Sequence, residues 1–199
     1  MRWLHNPLIT LYYRQREQED SVFSSFFPGD NRQLISHQGV SRQTTLKAQT
    51  TMIAEQTKAP AFTLPDSEGK QISLSDFTGK KVLIIFYPGD DTPVCTAQLC
   101  DYRNNVLEFT KRDIVVLGIS SDSQASHKSF AERNQLPFTL LSDTKKTTAK
   151  AYDALGFLGM SQRAYVLVDE NGVVLLAYSD FLPIIYQPMK DLLAKIDAA

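Results

Sequence analysis

Cys95 and Cys100 are the two cysteines of a 199-residue chain, five positions apart in Pro88-Gly-Asp-Asp-Thr-Pro-Val-Cys-Thr-Ala-Gln-Leu-Cys100. Thr92 is a good helix N-cap and Pro93 suits the first helical position, so Cys95 falls third in the first turn. Unpaired backbone N–H groups and the positive end of the helix dipole favour a thiolate there, and the thiolate is the nucleophilic form. A free cysteine is more often a small buried apolar residue. The cap-Pro-x-Cys start, following the apolar run Val82-Leu-Ile-Ile-Phe-Tyr87 after a four-residue loop, shifts the balance towards chemistry. On an ideal helix Cys100 lies about 140° around and about 7.5 Å along from Cys95, which sets their Cα atoms roughly 8–9 Å apart. That is beyond the reach of a disulfide. Either the pair never bridges, or it bridges when the first turn unwinds. A thiol that becomes oxidised and a second thiol released by local unfolding fit the latter case.

Three other chemistries fit less well. A zinc site needs four ligands, and His5, His37 and His127 stand at no ligand spacing. A dithiol oxidoreductase of the C-x-x-C type has a different spacing. A cysteine hydrolase needs a general base. His127 is the one candidate outside the N-terminal stretch; it falls mid-helix beside Lys128, where a solvated or capping histidine is expected.

The elements that must position Cys95 can be read around it. Ala59 to Leu64 and Gln71 to Leu74 alternate about the turn Asp66–Lys70, a hairpin-like entry. Lys81 to Tyr87 reads as a strand buried on both faces. A helix is expected from Thr92 to about Arg112, with Tyr102, Val106 and Phe109 on one side, and then a second buried strand, Ile114–Ile119. Together these make a right-handed βαβ unit. Asp122 or Ser123 caps a helix to about Asn134 with Phe130 inward, Phe138–Leu141 is a strand, and Lys145 to about Leu155 a short helix ending at Gly156. Ala164–Val168 and Val173–Tyr178 flank the hairpin signal Asp169-Glu-Asn-Gly172. A last helix, Asp191–Ile196, turns Leu192, Leu193 and Ile196 to the sheet. The order predicts an α/β fold, a central mixed β-sheet flanked by helices on both faces.

Apolar residues make up 43% and charged residues 22%, enough for an ordinary core. A net charge of -1 gives no electrostatic reason to expect nucleic acid or a membrane surface as partner. No apolar run approaches the roughly 20 residues that span a bilayer. Two cysteines in so long a chain are no disulfide scaffold, so an intracellular, cytoplasmic protein is expected. Residues 1–51 show little sustained period, and Gln, Ser, Arg and Thr dominate Gln33–Thr51. Glu17, Glu19 and Asp20 weaken an organelle transit-peptide reading without removing it. Met52 offers an internal start, and 1–51 reads as a disordered or artefactual extension of a domain at 52–199.

The stretch Phe86–Cys100 resembles the peroxidatic motif of the peroxiredoxins, Pro-x-x-x-Thr-x-x-Cys, and its C-x4-C spacing is similar to that of the Prx Q, or bacterioferritin comigratory protein, subfamily. Further matching segments are Gly118–Ser123, Ser126–Phe130, Leu136–Asp143 and Gln162–Asp169. The resemblance implies a thioredoxin-like fold and thiol-dependent reduction of hydrogen peroxide and organic hydroperoxides, with no metal or cofactor. It makes Cys95 the peroxidatic cysteine and Cys100 the resolving one. Thr92 supplies the hydroxyl that binds the peroxide, Pro88 shields the pocket, and Arg163 stabilises the thiolate and the transition state. It implies thioredoxin or a similar dithiol as reductant, and a monomer. Val94 and Gln98 depart from the family's usual Gly and Glu, and Phe181–Pro188 lacks a histidine common there. Two other classes compete: a redox-sensing module that signals through the same disulfide, and a general disulfide oxidoreductase.

Overall fold

A computed structural model describes residues 52–156, 159–180 and 186–199. The expectations for residues 1–51, and for the larger part of Phe181–Pro188, lie outside the described residues.

The chain enters through an antiparallel pair, β1 (Thr63–Pro65) and β2 (Gln71–Ser73), followed by a single 3-10 turn at Leu74–Phe77. The central strand β3 (Lys81–Phe86) comes next, and the alternation of strand side chains divides its apolar run between two cores. Val82, Ile84 and Phe86 join Phe62, Leu64 and Ile72 of the hairpin on one face. Leu83, Ile85 and Tyr87 join Cys95, Leu99 and Tyr102 on the other. A strand covered on both sides must be apolar throughout, which is why six consecutive residues, Val82–Tyr87, are 1% exposed or less.

Next come α1 (Pro93–Asn104), α2 (Val106–Thr110), β4 (Ile114–Ser120), α3 (Gln124–Asn134), β5 (Thr139–Ser142), α4 (Thr147–Ala151), β6 (Ala164–Val168), β7 (Val174–Ser179) and α5 (Met189–Asp197). The five-stranded sheet has the order β5-β4-β3-β6-β7. β3 and β4 run parallel through the α1–α2 crossover, as do β4 and β5 through α3, while β6 lies antiparallel to both β3 and β7. The mixed sheet is as expected. One face is covered by α1, α3 and α5, with Phe130, Leu192 and Ile196 in that core. The other is covered by the entry hairpin and the short α4, with Ala149 and Tyr152.

Two helices differ from their sequence reading. The helix expected from Thr92 to Arg112 breaks at Asn105, whose backbone leaves helical geometry (φ -116, ψ 19). The Asn105 side-chain amide donates to the Asp101 carbonyl one turn back, at 2.9 Å, and so competes with the backbone ladder. The helix expected from Lys145 to Leu155 is only Thr147–Ala151. Asp143 caps it by accepting from the backbone N–H groups of Thr147 and Ala149, and Asp153 ends it in the left-handed region at φ 54.

The register brings three chain segments to the carboxyl end of β3. Phe86 pairs with Ile119 of β4 on one side and with Ala164 of β6 on the other. Residues following Phe86, those following Ile119 and those preceding Ala164 therefore converge there. This is where the sheet changes from parallel to antiparallel neighbours, the kind of place at which α/β folds build sites.

Candidate active site

Cys95 stands at that convergence. Thr92 has extended geometry and caps α1; its Oγ1 accepts the Cys95 N–H at 3.3 Å, while its own hydroxyl donates to the Gly89 carbonyl at 3.3 Å. Thr92 is exposed, Pro88 half-buried and Cys95 fully buried at 0%. A cap at the surface and a thiol beneath it share one helical turn.

Arg163, the residue before β6, donates from Nη2 to Cys95 Sγ at 3.3 Å. Sequence alone gives a solvated charge as the default for this arginine, yet it is 1% exposed. The reason is register: Ala164 pairs with Phe86, so the preceding residue is delivered to the loop that carries Cys95. Burial of a guanidinium is costly unless its donors are used. Nη1 donates to Gln98 Oε1, and Gln98 lies one turn after Cys95 on the same helix.

Gln98 is fully buried and carries the network further. Its Nε2 donates to the Tyr165 hydroxyl at 3.0 Å. Tyr165 donates to Asp180 Oδ2 at 3.2 Å and accepts the Gln187 N–H at 3.0 Å. Tyr102 donates to the Gln187 carbonyl at 2.6 Å. Burial holds both tyrosines far above the usual phenol range and also raises the Asp180 carboxyl. The amide of Gln98 thus orients the arginine with a neutral acceptor where a glutamate would add a charge. Tyr102, Tyr165 and Asp180 are not singled out by sequence reasoning. One signal was present: Gln98 and Tyr102 are four apart and share a helix face.

Cys100 is partly buried on α1 and faces another element, its Sγ 3.6 Å from Asn134 Oδ1 at the end of α3. Both cysteines are free thiols. Cys95, Thr92 and Arg163 are brought together, Pro88 flanks the loop, and Cys100 points away from the cluster.

His127 is corrected outright. It is 0% exposed, with Nδ1 2.9 Å from Asp90 Oδ2 and Nε2 3.2 Å from the Leu141 carbonyl. It is neither solvated nor capping, because α3 turns this residue inward with Phe130. Among the described residues no group of histidine, cysteine and carboxylate side chains could hold a metal ion, and no helix is long and apolar enough to cross a membrane.

The model of the AhpC/TSA family matches residues 56–177. The chain belongs to this family. It is 45% identical over 125 residues to peroxiredoxin bcp of Coxiella burnetii, covering 82% of that protein. To the chloroplastic peroxiredoxin Q of Sedum lineare it is 48% identical over 125 residues, which is 61% of this chain and 66% of the plant protein. Among solved structures, the peroxidoxin BcpB of Mycobacterium tuberculosis superposes with a TM-score of 0.65 at 29% identity, over 72% of this chain and 96% of that one. Within the family the chain groups with the peroxiredoxins of the Q and bcp kind, and its fold is thioredoxin-like. Its reaction class is thiol-dependent peroxidase, an oxidoreductase.

Proposed function

We propose that the chain reduces hydrogen peroxide and organic hydroperoxides through Cys95, with Cys100 as the resolving thiol and thioredoxin or a similar dithiol as electron donor. The observation that carries this reading is the Arg163 guanidinium donating to the Cys95 sulfur at 3.3 Å, at the first turn of a capped helix. The Cys95 thiolate attacks one peroxide oxygen in line. The O–O bond breaks, the sulfur is oxidised to the sulfenic acid, and the other oxygen leaves as hydroxide or alkoxide and takes a proton. Charge grows on that leaving oxygen, and Thr92, Arg163 and the Cys95 N–H are the donors available to it. The Thr92 hydroxyl rests on a long bond to the Gly89 carbonyl, a partner that a peroxide oxygen can replace. Pro88, half-buried beside the loop, is positioned to limit water at the pocket.

The sulfenic acid then meets the Cys100 thiol. An S–S bond forms, the S–O bond breaks, and the hydroxyl leaves as water with the thiol proton. Both cysteines belong to the unbroken helix Pro93–Asn104, so the first turn must open for this step. The external dithiol restores both thiols by exchange and becomes the disulfide.

The test is thioredoxin-coupled peroxide turnover. Cys95→Ser should abolish peroxide consumption, and retained activity would reject the assignment. Cys100→Ser should consume one equivalent of peroxide, stop turning over with thioredoxin, and leave a sulfenic acid that a trapping reagent labels. A Cys100→Ser protein that still turns over at the wild-type rate would move the resolving role elsewhere.

A further inference from the structure

The loop carrying Pro88–Thr92 is tied down by a second buried polar cluster, separate from the Arg163 network. Asp90 accepts three hydrogen bonds through its carboxylate: from the Tyr87 hydroxyl at 2.8 Å, from the Ser126 hydroxyl at 2.7 Å and from His127 Nδ1 at 2.9 Å. The Asp90 N–H donates to Asp122 Oδ2 at 2.9 Å, and the Ser120 hydroxyl orients that same oxygen at 2.7 Å. Gly89 leaves room for this approach, since a Cβ there would stand 3.2 Å from Asp122 Oδ2. The neighbouring Asp91, held at φ 55, takes Arg133 of α3 on both oxygens at 2.6 Å. Two consecutive aspartates therefore pin the loop to α3, one buried and one at the surface.

The partners of His127 fix the position of its ring. Nδ1 lies 2.9 Å from Asp90 Oδ2 and 3.4 Å from the Tyr87 hydroxyl, and Nε2 lies 3.2 Å from the Leu141 carbonyl. Both ring nitrogens are thus engaged, and the His127 and Asp90 side chains are 0% and 2% exposed.

We propose that His127 and Asp90 are positioning residues: as a buried, hydrogen-bonded imidazole–carboxylate latch they hold the Pro88–Thr92 loop on α3 and so set how often the first turn of α1, with Cys95, opens towards Cys100. The latch stands on one side of Thr92 and the helix cap on the other. Releasing the loop frees the residue that caps the turn. The two chemical steps require opposite states of this turn, closed for attack on peroxide and open for disulfide closure. Loosening the latch therefore slows the first and speeds the second. That last consequence rests on the peroxidase reading above; the opening itself does not.

The experiment uses the reduced full-length chain. Amide hydrogen exchange over Val94–Gln98 is compared among the wild type, Asp90→Asn, His127→Gln and Arg112→Gln, which breaks a surface pair with Asp197 far from the loop. Asparagine at 90 must turn an amide donor towards Tyr87 or towards Ser126 and His127, so exchange in both latch variants is expected to rise at least about tenfold, the scale of one lost hydrogen bond to a charged group. Arg112→Gln should leave it unchanged. Ser126→Ala, which removes one bond to Asp90, is the milder substitution should the others fold poorly. Unchanged exchange in the folded latch variants would overturn the proposal. In quenched-flow mass spectrometry, sulfenic acid should form more slowly and the disulfide close faster in the latch variants; slower closure would overturn the link to resolution. If the wild type fails to consume peroxide, the peroxidase reading fails while the exchange result still decides the latch.

Discussion

Arg163 carries its charge into a place where charges are expensive, and three side chains hold it there in sequence: Gln98, Tyr165 and Asp180. At the far end of that chain Asp180 is the group that responds to pH. Burial raises its carboxyl above the ordinary 3.8, outweighing the Tyr165 hydrogen bond and the pull of Arg163. A carboxyl raised on folding favours its protonated form in the native state. Its contribution to stability is therefore fully present below 3.8 and is lost as pH rises through the folded-state value. Asp180→Asn removes that loss, because an amide oxygen still accepts from Tyr165 and never ionises. Melting curves of both proteins should show the variant's Tm gaining on the wild type as pH rises from acid towards neutral. A constant difference across that range would mean Asp180 is not desolvated as its surroundings indicate. Little of this was legible at the level of residues. The motif pointed to Arg163, but Gln162-Arg-Ala164 has no local feature that says buried; only the pairing of Ala164 with Phe86 does.

At the scale of elements, α1 is organised from its first turn. Its start could be read directly, since Thr92 and Pro93 are a cap and an N1 residue whatever surrounds them. Its end could not, because Asn105 stops the helix by a side-chain bond to the Asp101 carbonyl, a contest between two hydrogen-bonding options that periodicity does not register. The cap couples structure to chemistry, as one hydroxyl accepts the Cys95 N–H and donates to the Gly89 carbonyl, a bond a peroxide oxygen can replace. Thr92→Val keeps shape but removes the oxygen. It should cost about 1 kcal/mol in thermal or denaturant unfolding. It should also slow the second-order reaction with peroxide by roughly a hundredfold, the scale of one lost donor to a developing oxyanion. Thr92→Ser should restore most of both. If Val lowers stability alone and leaves the peroxide rate intact, Thr92 is a cap and nothing more.

Across the whole molecule, the mixed sheet and the burial of β3 on both faces were legible in the apolar runs, because those patterns report burial directly, whereas the strand order β5-β4-β3-β6-β7 rests on long-range pairing. The placement of the entry segment depends on long-range contacts that no local pattern carries. Met52 and Ile53 pack against the core, the Gln56 N–H donates to the Val174 carbonyl at 2.8 Å, the Ala59 N–H donates to the Gly172 carbonyl at 3.0 Å, and the Tyr152 hydroxyl donates to the Pro60 carbonyl at 2.7 Å. These ties fasten residues 52–60 to β7 and to the end of α4, on the face of the sheet away from α1. We propose that residues 52–199 form the catalytic domain. A chain that begins at Met52 should then match the full chain in Tm and in peroxide rate to within about twofold, well inside the span a single lost interaction covers. A chain that begins after Pro60 gives up these ties together with the bonds from the Val174 N–H to the Thr57 carbonyl and from the Ala177 N–H to Glu55, and the buried Ala59, each hydrogen bond being worth about 1 kcal/mol. It should melt lower by many degrees while any folded fraction keeps the Cys95 chemistry. Equal melting temperatures for the two truncations would show that the entry segment adds nothing to the fold, and a large loss in the first would place part of the domain before Met52.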